Sequence, residues 1–269
     1  MTASTLIRDG LELVVDCEGN GPTMLFQHGL CGDPRQPADV FPTEIGWRRL
    51  TLACRGHGSS PAGPFGALSI ATFTDDCAAL LEADGRGPVV VGGISMGAAI
   101  ALRLAVTRPD RVAALVLARP AWLVDPAPDT LRPNALVGDL LRHHPPAEAR
   151  ALFEASETAR ILAAEAPDNL ASLRGFFTRE PVAVTAELLS RISVDGPGVD
   201  PASIAALDIP TLVIGHHRDS IHPYAMAQTL AGLIPRARLA MITPKADDPL
   251  RYRDDFRRVL ADFLKEQCP

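Results

Sequence analysis

The sequence contains no run of about 18 consecutive apolar residues, the length a membrane-spanning helix needs, so no membrane partner is expected. Its N-terminus, "MTASTLIRDGLELVVDCEGNG", has neither the basic start nor the uninterrupted apolar stretch of a secretory signal, which points to a cytoplasmic protein. Paired cysteines are missing too. Cys17, Cys31, Cys54, Cys77 and Cys268 are odd in number and show no C-x-x-C spacing, which argues against a disulfide framework or a zinc site. An excess of basic charge is also lacking. The formal net charge is −6, whereas nucleic-acid binding needs a positive field from clustered Lys and Arg. There is no internal repeat, no low-complexity tract, no motif that calls for a cofactor, and no feature that assigns an oligomeric state.

What remains is a chain of 269 residues with 47% hydrophobic content, enough to bury one sizeable core. Short apolar runs recur along it: "LELVV" at 11–15, "TMLF" at 23–26, "RRLTLA" at 48–53, "PVVVG" at 88–92, "AALVLA" at 113–118, "TLVIG" at 211–215 and "RLAMI" at 238–242. Helical patterns separate them, so the expected class is α/β, with a mostly parallel sheet covered on both faces. Apolar residues at 70, 73, 77, 80 and 81 have the three-and-four spacing of an amphipathic helix, and Tyr252, Phe256, Val259, Leu260, Phe263 and Leu264 repeat it. From Trp122 to Leu207 no strand-like run occurs. Residues 1–121 and 208–269 are therefore expected to form the core, and 122–207 a helical cap over the carboxyl edge of the sheet.

The segment "GGISMGAA", residues 93–100, follows the run "PVVVGG" and opens an Ala- and Leu-rich helical stretch. Strand, tight turn and helix in that order present a serine hydroxyl on a strained bend, and glycines on either side let backbone approach closely. The start of the helix favours negative charge beside Ser95. "FQHGLCGD", residues 26–33, follows an earlier strand, so the backbone amides of Leu30 and Met96 are candidate donors to a developing oxyanion.

Together with "RGHGSS" at 55–60, "RPDRVAALVL" and "IPTLVIGHHRDSIHP", these segments make the chain resemble the α/β-hydrolase superfamily over nearly its whole length. The resemblance implies an α/β-hydrolase fold with a cap, Ser95 as nucleophile and Asp219 in the acid position. It also implies a histidine a few residues beyond the last strand, near Asp247. The sequence there reads "TPKADDPLRYRDDF" and has none.

Three readings follow. A histidine of the Asp219 loop could reach Ser95, the candidates being His216, His217 and His222, of which His222 is best placed, late in the loop beside Pro223. Lys245 could act instead, since desolvation turns a lysine into a base. Or the site has lost acyl transfer and performs lyase or proton-transfer chemistry with His28, or only binds a ligand. The leading expectation is a serine-dependent hydrolase of a small ester, lactone or thioester with a non-standard general base. An aspartyl nucleophile is disfavoured because the elbow residue is serine. His28, Arg119 and Lys245 are further candidates for touching the small-molecule substrate, and the Arg119 fork would suit an anionic one. Arg174, Phe176 and Phe177 could line the cap side. Cys31 reads as a buried filler. His143 and His144 read as loop residues without the further ligands a metal needs.

Overall fold

The computed structural model describes residues 2–267, so Cys268 lies outside the described part. Eight strands form one sheet: β1 (Thr2–Arg8), β2 (Leu11–Glu18), β3 (Thr23–Gln27), β4 (Arg48–Leu52), β5 (Val89–Ile94), β6 (Val112–Ala118), β7 (Thr211–Gly215) and β8 (Ala237–Met241). Their order across the sheet is β1-β2-β4-β3-β5-β6-β7-β8. β1 pairs antiparallel with β2, and β2 with β4; every other pairing is parallel. All residues of β3, β5 and β7 are buried. That explains their continuous apolar runs, because a parallel strand covered on both faces has no solvent side on which to place polar residues.

β1 carries no apolar run and went unnoticed in the sequence. It forms as a hairpin partner of β2 through Asp9 and Gly10, whose φ values of 50° and 76° match the twist of a two-residue turn. At the centre, Gly92 leaves room for its neighbours: a Cβ there would lie 2.7 Å from both Met24 Cε and Val116 Cβ.

One face of the sheet is covered by α2 (Ile70–Asp84) and α3 (Met96–Thr107). Ile70, Phe73, Cys77, Leu80 and Leu81 are all buried there, as their spacing predicts. The other face is covered by α1 (Arg35–Val40) and, at the C-terminal end, by a long helix over Pro249–Gln267. Phe26 of β3 meets Phe41 and Phe256, with ring centroids 6.5 and 6.3 Å apart. Each fully buried side chain of this kind contributes about 2–3 kcal/mol.

Between β6 and β7 the chain runs through α4 (Arg132–His143), α5 (Pro146–Glu154), α6 (Glu157–Glu165), α7 (Pro167–Phe176), α8 (Val182–Ile192) and α9 (Pro201–Ala205). α10 (Tyr224–Leu233) follows β7, and the C-terminal helix is α11. Buried residues of the α4–α8 segment, among them Val137, Phe153, Leu173 and Leu188, join the same apolar cluster as α2 and α3. Polar ties add to this. Trp122 Nε1 donates to the Asp195 carbonyl at 2.9 Å, while the Asp195 carboxylate accepts from the Ile70 amide at 2.7 Å, which anchors the segment to the start of α2. Among the described residues, no helix is long and apolar enough to cross a membrane.

Candidate active site

β5 hands over to α3 at Ser95, whose φ of 57° and ψ of −114° are unusual for a residue with a side chain. The fold overrides that cost. Ser95 N donates to the Ala118 carbonyl at 2.9 Å, and the Ala98 and Ala99 amides donate to the Ser95 carbonyl at 2.9 and 3.2 Å. Both flanking glycines are required for space. A Cβ on Gly93 would lie 2.1 Å from the Gly97 carbonyl carbon, and one on Gly97 would lie 2.4 Å from the Gln27 carbonyl oxygen.

The Ser95 hydroxyl lies 2.8 Å from His222 Nε2. On the opposite side of the ring, His222 Nδ1 lies 2.9 and 3.0 Å from the two carboxylate oxygens of Asp219. Because a carboxylate only accepts, Nδ1 carries the proton and donates it, leaving Nε2 free to accept from the serine. The loop after β7 thus supplies both members of this chain, three residues apart.

Asp219 is fully committed. Its Oδ1 accepts from the His222 amide and from Asn169 Nδ2, both at 3.0 Å, and its Oδ2 accepts from Arg119 Nε and Nη2 at 2.8 and 2.7 Å. Burial pushes this carboxyl up, but the Arg119 guanidinium and the His222 ring outweigh it and hold it well below the usual carboxylate range. Burial also pushes His222 below the ordinary imidazole value, against the opposite pull of Asp219, with Arg119 adding to the depression. A neutral imidazole facing a hydroxyl is the protonation state that a general base needs.

The loop from His28 to Gly32 rides over the elbow. The position of a Cβ on Gly29 is 3.4 Å from Ser95 Cβ. Gly29 N donates to Gln36 Oε1 at 2.6 Å and Cys31 N to His57 Nε2 at 3.0 Å, so the amides on either side of Leu30 are bonded within the protein. Met96 is the first residue of α3, where backbone amides have no intrahelical partner.

Several expected contacts are corrected by the structure. His28 does not reach substrate space: it is fully buried, with Nδ1 donating to the Gly29 carbonyl at 2.9 Å and Nε2 accepting from Cys54 N at 3.1 Å. It supports the loop from below, its ring tilted against that of His57 with centroids 4.8 Å apart. Lys245 sits at the rim, paired with Asp168 at 2.9 Å, where it neither meets Ser95 nor lines the cavity. Arg119 does line the cavity, but its fork is taken by Asp219. His216 is buried against the Tyr252 ring and pushed down to about 4 by burial; its Nδ1 bonds the His217 carbonyl, and His217 itself is exposed. Arg174 pairs with Glu154, and Phe177 packs on Phe153, which leaves Phe176 of the three on the cavity wall. Burial pushes the Cys31 thiol up to about 12, so it is no nucleophile. His143 and His144 pair with Asp139 and Glu148 on the surface, and no metal-holding cluster occurs among the described residues.

Two partners had no signal in the sequence. Asn169 of α7 binds Asp219 with its amide nitrogen and, with its oxygen, accepts from the Ser220 amide at 2.8 Å. Asp168 links Lys245 to Arg119. Neither belongs to a local motif, since each acts across about 50 residues or more.

Ser95 and His222 line a cavity of about 90 Å³ between the elbow, the Leu30 loop and helices α4 and α7. A wider groove of about 640 Å³ lies outside it, and Ser172 and Phe176 of α7 line both.

Comparison with known proteins agrees with this fold. A family model described as alpha/beta hydrolase fold matches residues 22–153. The chain is 46% identical over 100 residues to "Lipase LipV" of Mycobacterium tuberculosis, a match that covers 36% of each chain. It is 31% identical over 239 residues, 84% of each chain, to "Putative carbamate hydrolase RutD" of Klebsiella pneumoniae. Among solved structures, the enol-lactonase of Burkholderia xenovorans superposes with a TM-score of 0.72 at 24% identity, covering 96% of this chain and 98% of that one.

Proposed function

Because this chain belongs to the α/β-hydrolase family, we propose that it is a serine hydrolase of a small carboxylic ester, lactone or thioester, with His222 as a general base supplied from an unusual place. The observation that carries this reading is the 2.8 Å contact between Ser95 Oγ and His222 Nε2, with Asp219 behind the ring. The rival, a non-hydrolytic lyase or ligand-binding protein, rested on the lack of a base, and an imidazole within hydrogen-bond reach of the serine removes that ground. Relatives named as a lipase and as a carbamate hydrolase point the same way, toward cleavage at a carbonyl.

His222 takes the Ser95 proton as Oγ attacks the carbonyl carbon, and the positive ring is stabilised by Asp219. The Leu30 and Met96 amides hold the resulting oxyanion, each donor contributing about 3 kcal/mol. His222 then gives its proton to the leaving oxygen or sulfur as the carbonyl reforms. Water, deprotonated by the same nitrogen, cleaves the acyl-serine and restores the hydroxyl. Residues 122–207 act as the cap that shields these steps and shapes selectivity.

The test is covalent labelling with a fluorophosphonate alongside turnover of a short p-nitrophenyl ester. Wild type is expected to label and turn over, and Ser95→Ala to do neither. Failure of the wild type to label anywhere between about pH 6 and 9 would favour the non-acyl rival.

A further inference from the structure

The cavity beside Ser95 is small, at about 90 Å³. A protein cavity of about 150 Å³ just holds benzene, so this one suits an acyl group of roughly two to four carbons. The rest of a substrate has an exit past Ser172 and Phe176 into the outer groove. Leu131, Leu173 and Ile221 give the inner wall its apolar part, and the polar groups on it are mostly engaged. Asn169 and Arg119 hold Asp219, Gln36 Oε1 accepts from Gly29, and Trp122 Nε1 is bonded to Asp195.

Asn134, in the first turn of α4, is different. It lines the same cavity and is 5% exposed, and its Oδ1 is buried without a hydrogen-bond partner. An amide oxygen removed from water and left unpaired is costly, and a ligand that supplies an N–H or O–H removes the cost.

We propose that Asn134 reads the acyl part of the substrate, so that the enzyme prefers short acyl groups carrying a hydrogen-bond donor, such as a hydroxyacyl or carbamoyl group. This rests on the serine-hydrolase reading above. A site built around a buried acceptor discriminates against the isostere that lacks the donor, because the acceptor is then left unpaired in the complex.

The test uses three near-isosteric ester pairs: ethyl carbamate against ethyl acetate, methyl lactate against methyl isobutyrate, and methyl 3-hydroxybutyrate against methyl 3-methylbutyrate. Each kcat/KM ratio is divided by the ratio of the hydroxide-catalysed rates of the same two esters, and measured for wild type and Asn134→Leu. At least one pair is expected to favour the donor in wild type by roughly tenfold or more, and to lose that preference in Asn134→Leu. Normalised wild-type ratios near one for all three pairs would overturn the proposal, and this outcome does not depend on the variant folding. Equal ratios in wild type and a variant that still takes the fluorophosphonate label would overturn it as well. Loss of labelling in the wild type instead sinks the hydrolase reading, which keeps the two failures apart. For unsubstituted p-nitrophenyl esters, kcat/KM is expected to fall by about tenfold or more from butyrate to octanoate; a flat profile removes the size limit.

Discussion

Asp219 and His222 stand three residues apart on one loop, and that short span carries both a carboxylate–imidazole bond of 2.9 Å and a second bond of 3.0 Å from the His222 amide to the same oxygen. The pair is pinned by its own backbone as well as by Arg119 and Asn169. An imidazole on the same loop as the carboxylate needs no contribution from the segment after β8, where the resemblance places the histidine.

His222→Ala is therefore expected to lower kcat by about 10³-fold or more, the scale of losing a general base that serves both halves of an acyl transfer. Lys245→Ala, which removes a partly exposed partner of Asp168, is expected to stay within a few-fold of wild type. Steady-state rates on a short p-nitrophenyl ester distinguish the two, and the reverse ranking would make the lysine the base.

The acid limb of the pH profile follows from the depressed pKa of His222. Protonation removes the base, so kcat/KM is expected to hold as pH falls from 8 to the ordinary imidazole value of about 6.5 and to drop only below it. A midpoint above that value, with a stable substrate, would contradict the burial argument.

Breaking the Arg119–Asp219 pair leaves a carboxylate buried with too little compensation. Arg119→Met is expected to cost about 3 kcal/mol at neutral pH, as for other buried ion pairs that lose one member. In wild type the depressed Asp219 pKa means its stabilisation persists above the usual carboxylate range and is lost only as pH falls through the lower, folded value. In the variant the carboxyl takes up a proton at higher pH. The stability gap to wild type should therefore narrow as pH is lowered from 8 to 5, which urea unfolding at the two values would measure.

Gly97→Ala tests the elbow. Its new methyl would stand 2.4 Å from the Gln27 carbonyl, a backbone atom held in the sheet. Loss of about 2–3 kcal/mol or more is expected, with activity falling alongside it because the Met96 amide and Ser95 move with the same turn. Thermal unfolding and ester turnover on one preparation would show both effects, and a stable, fully active variant would refute the steric account.

Much of the fold was legible because the buried strands announce themselves. Runs such as "TLVIG" and "PVVVG" are apolar and bounded by Gly or Pro; the first is β7 residue for residue, and the second is β5 with a shift of one residue at its start and two at its end. β1 was not legible: "TASTLIR" is a polar edge strand, and only the Asp9-Gly10 turn hinted at it. Ser95 could be read from its strand, turn and helix context. His222 is the best placed of three histidines in the sequence, but Lys245 and the absence of any base stay open beside it, because ring orientation on a loop has no sequence period. The pairing of Arg119 with Asp219 is not legible in the sequence, because the two lie 100 residues apart.

The order of apolar runs and the glycines around Ser95 determined by themselves that this chain would build a mostly parallel sheet and present a hydroxyl at a strained bend, since both follow from local sterics and burial. Which imidazole meets that hydroxyl, which cation holds the acid, and which amide of α4 lines the cavity were decided only when the loop after β7, Arg119 after β6 and helices α4 and α7 came together. Those are contacts between segments distant in sequence, and their geometry is set by packing rather than by any pattern along the chain.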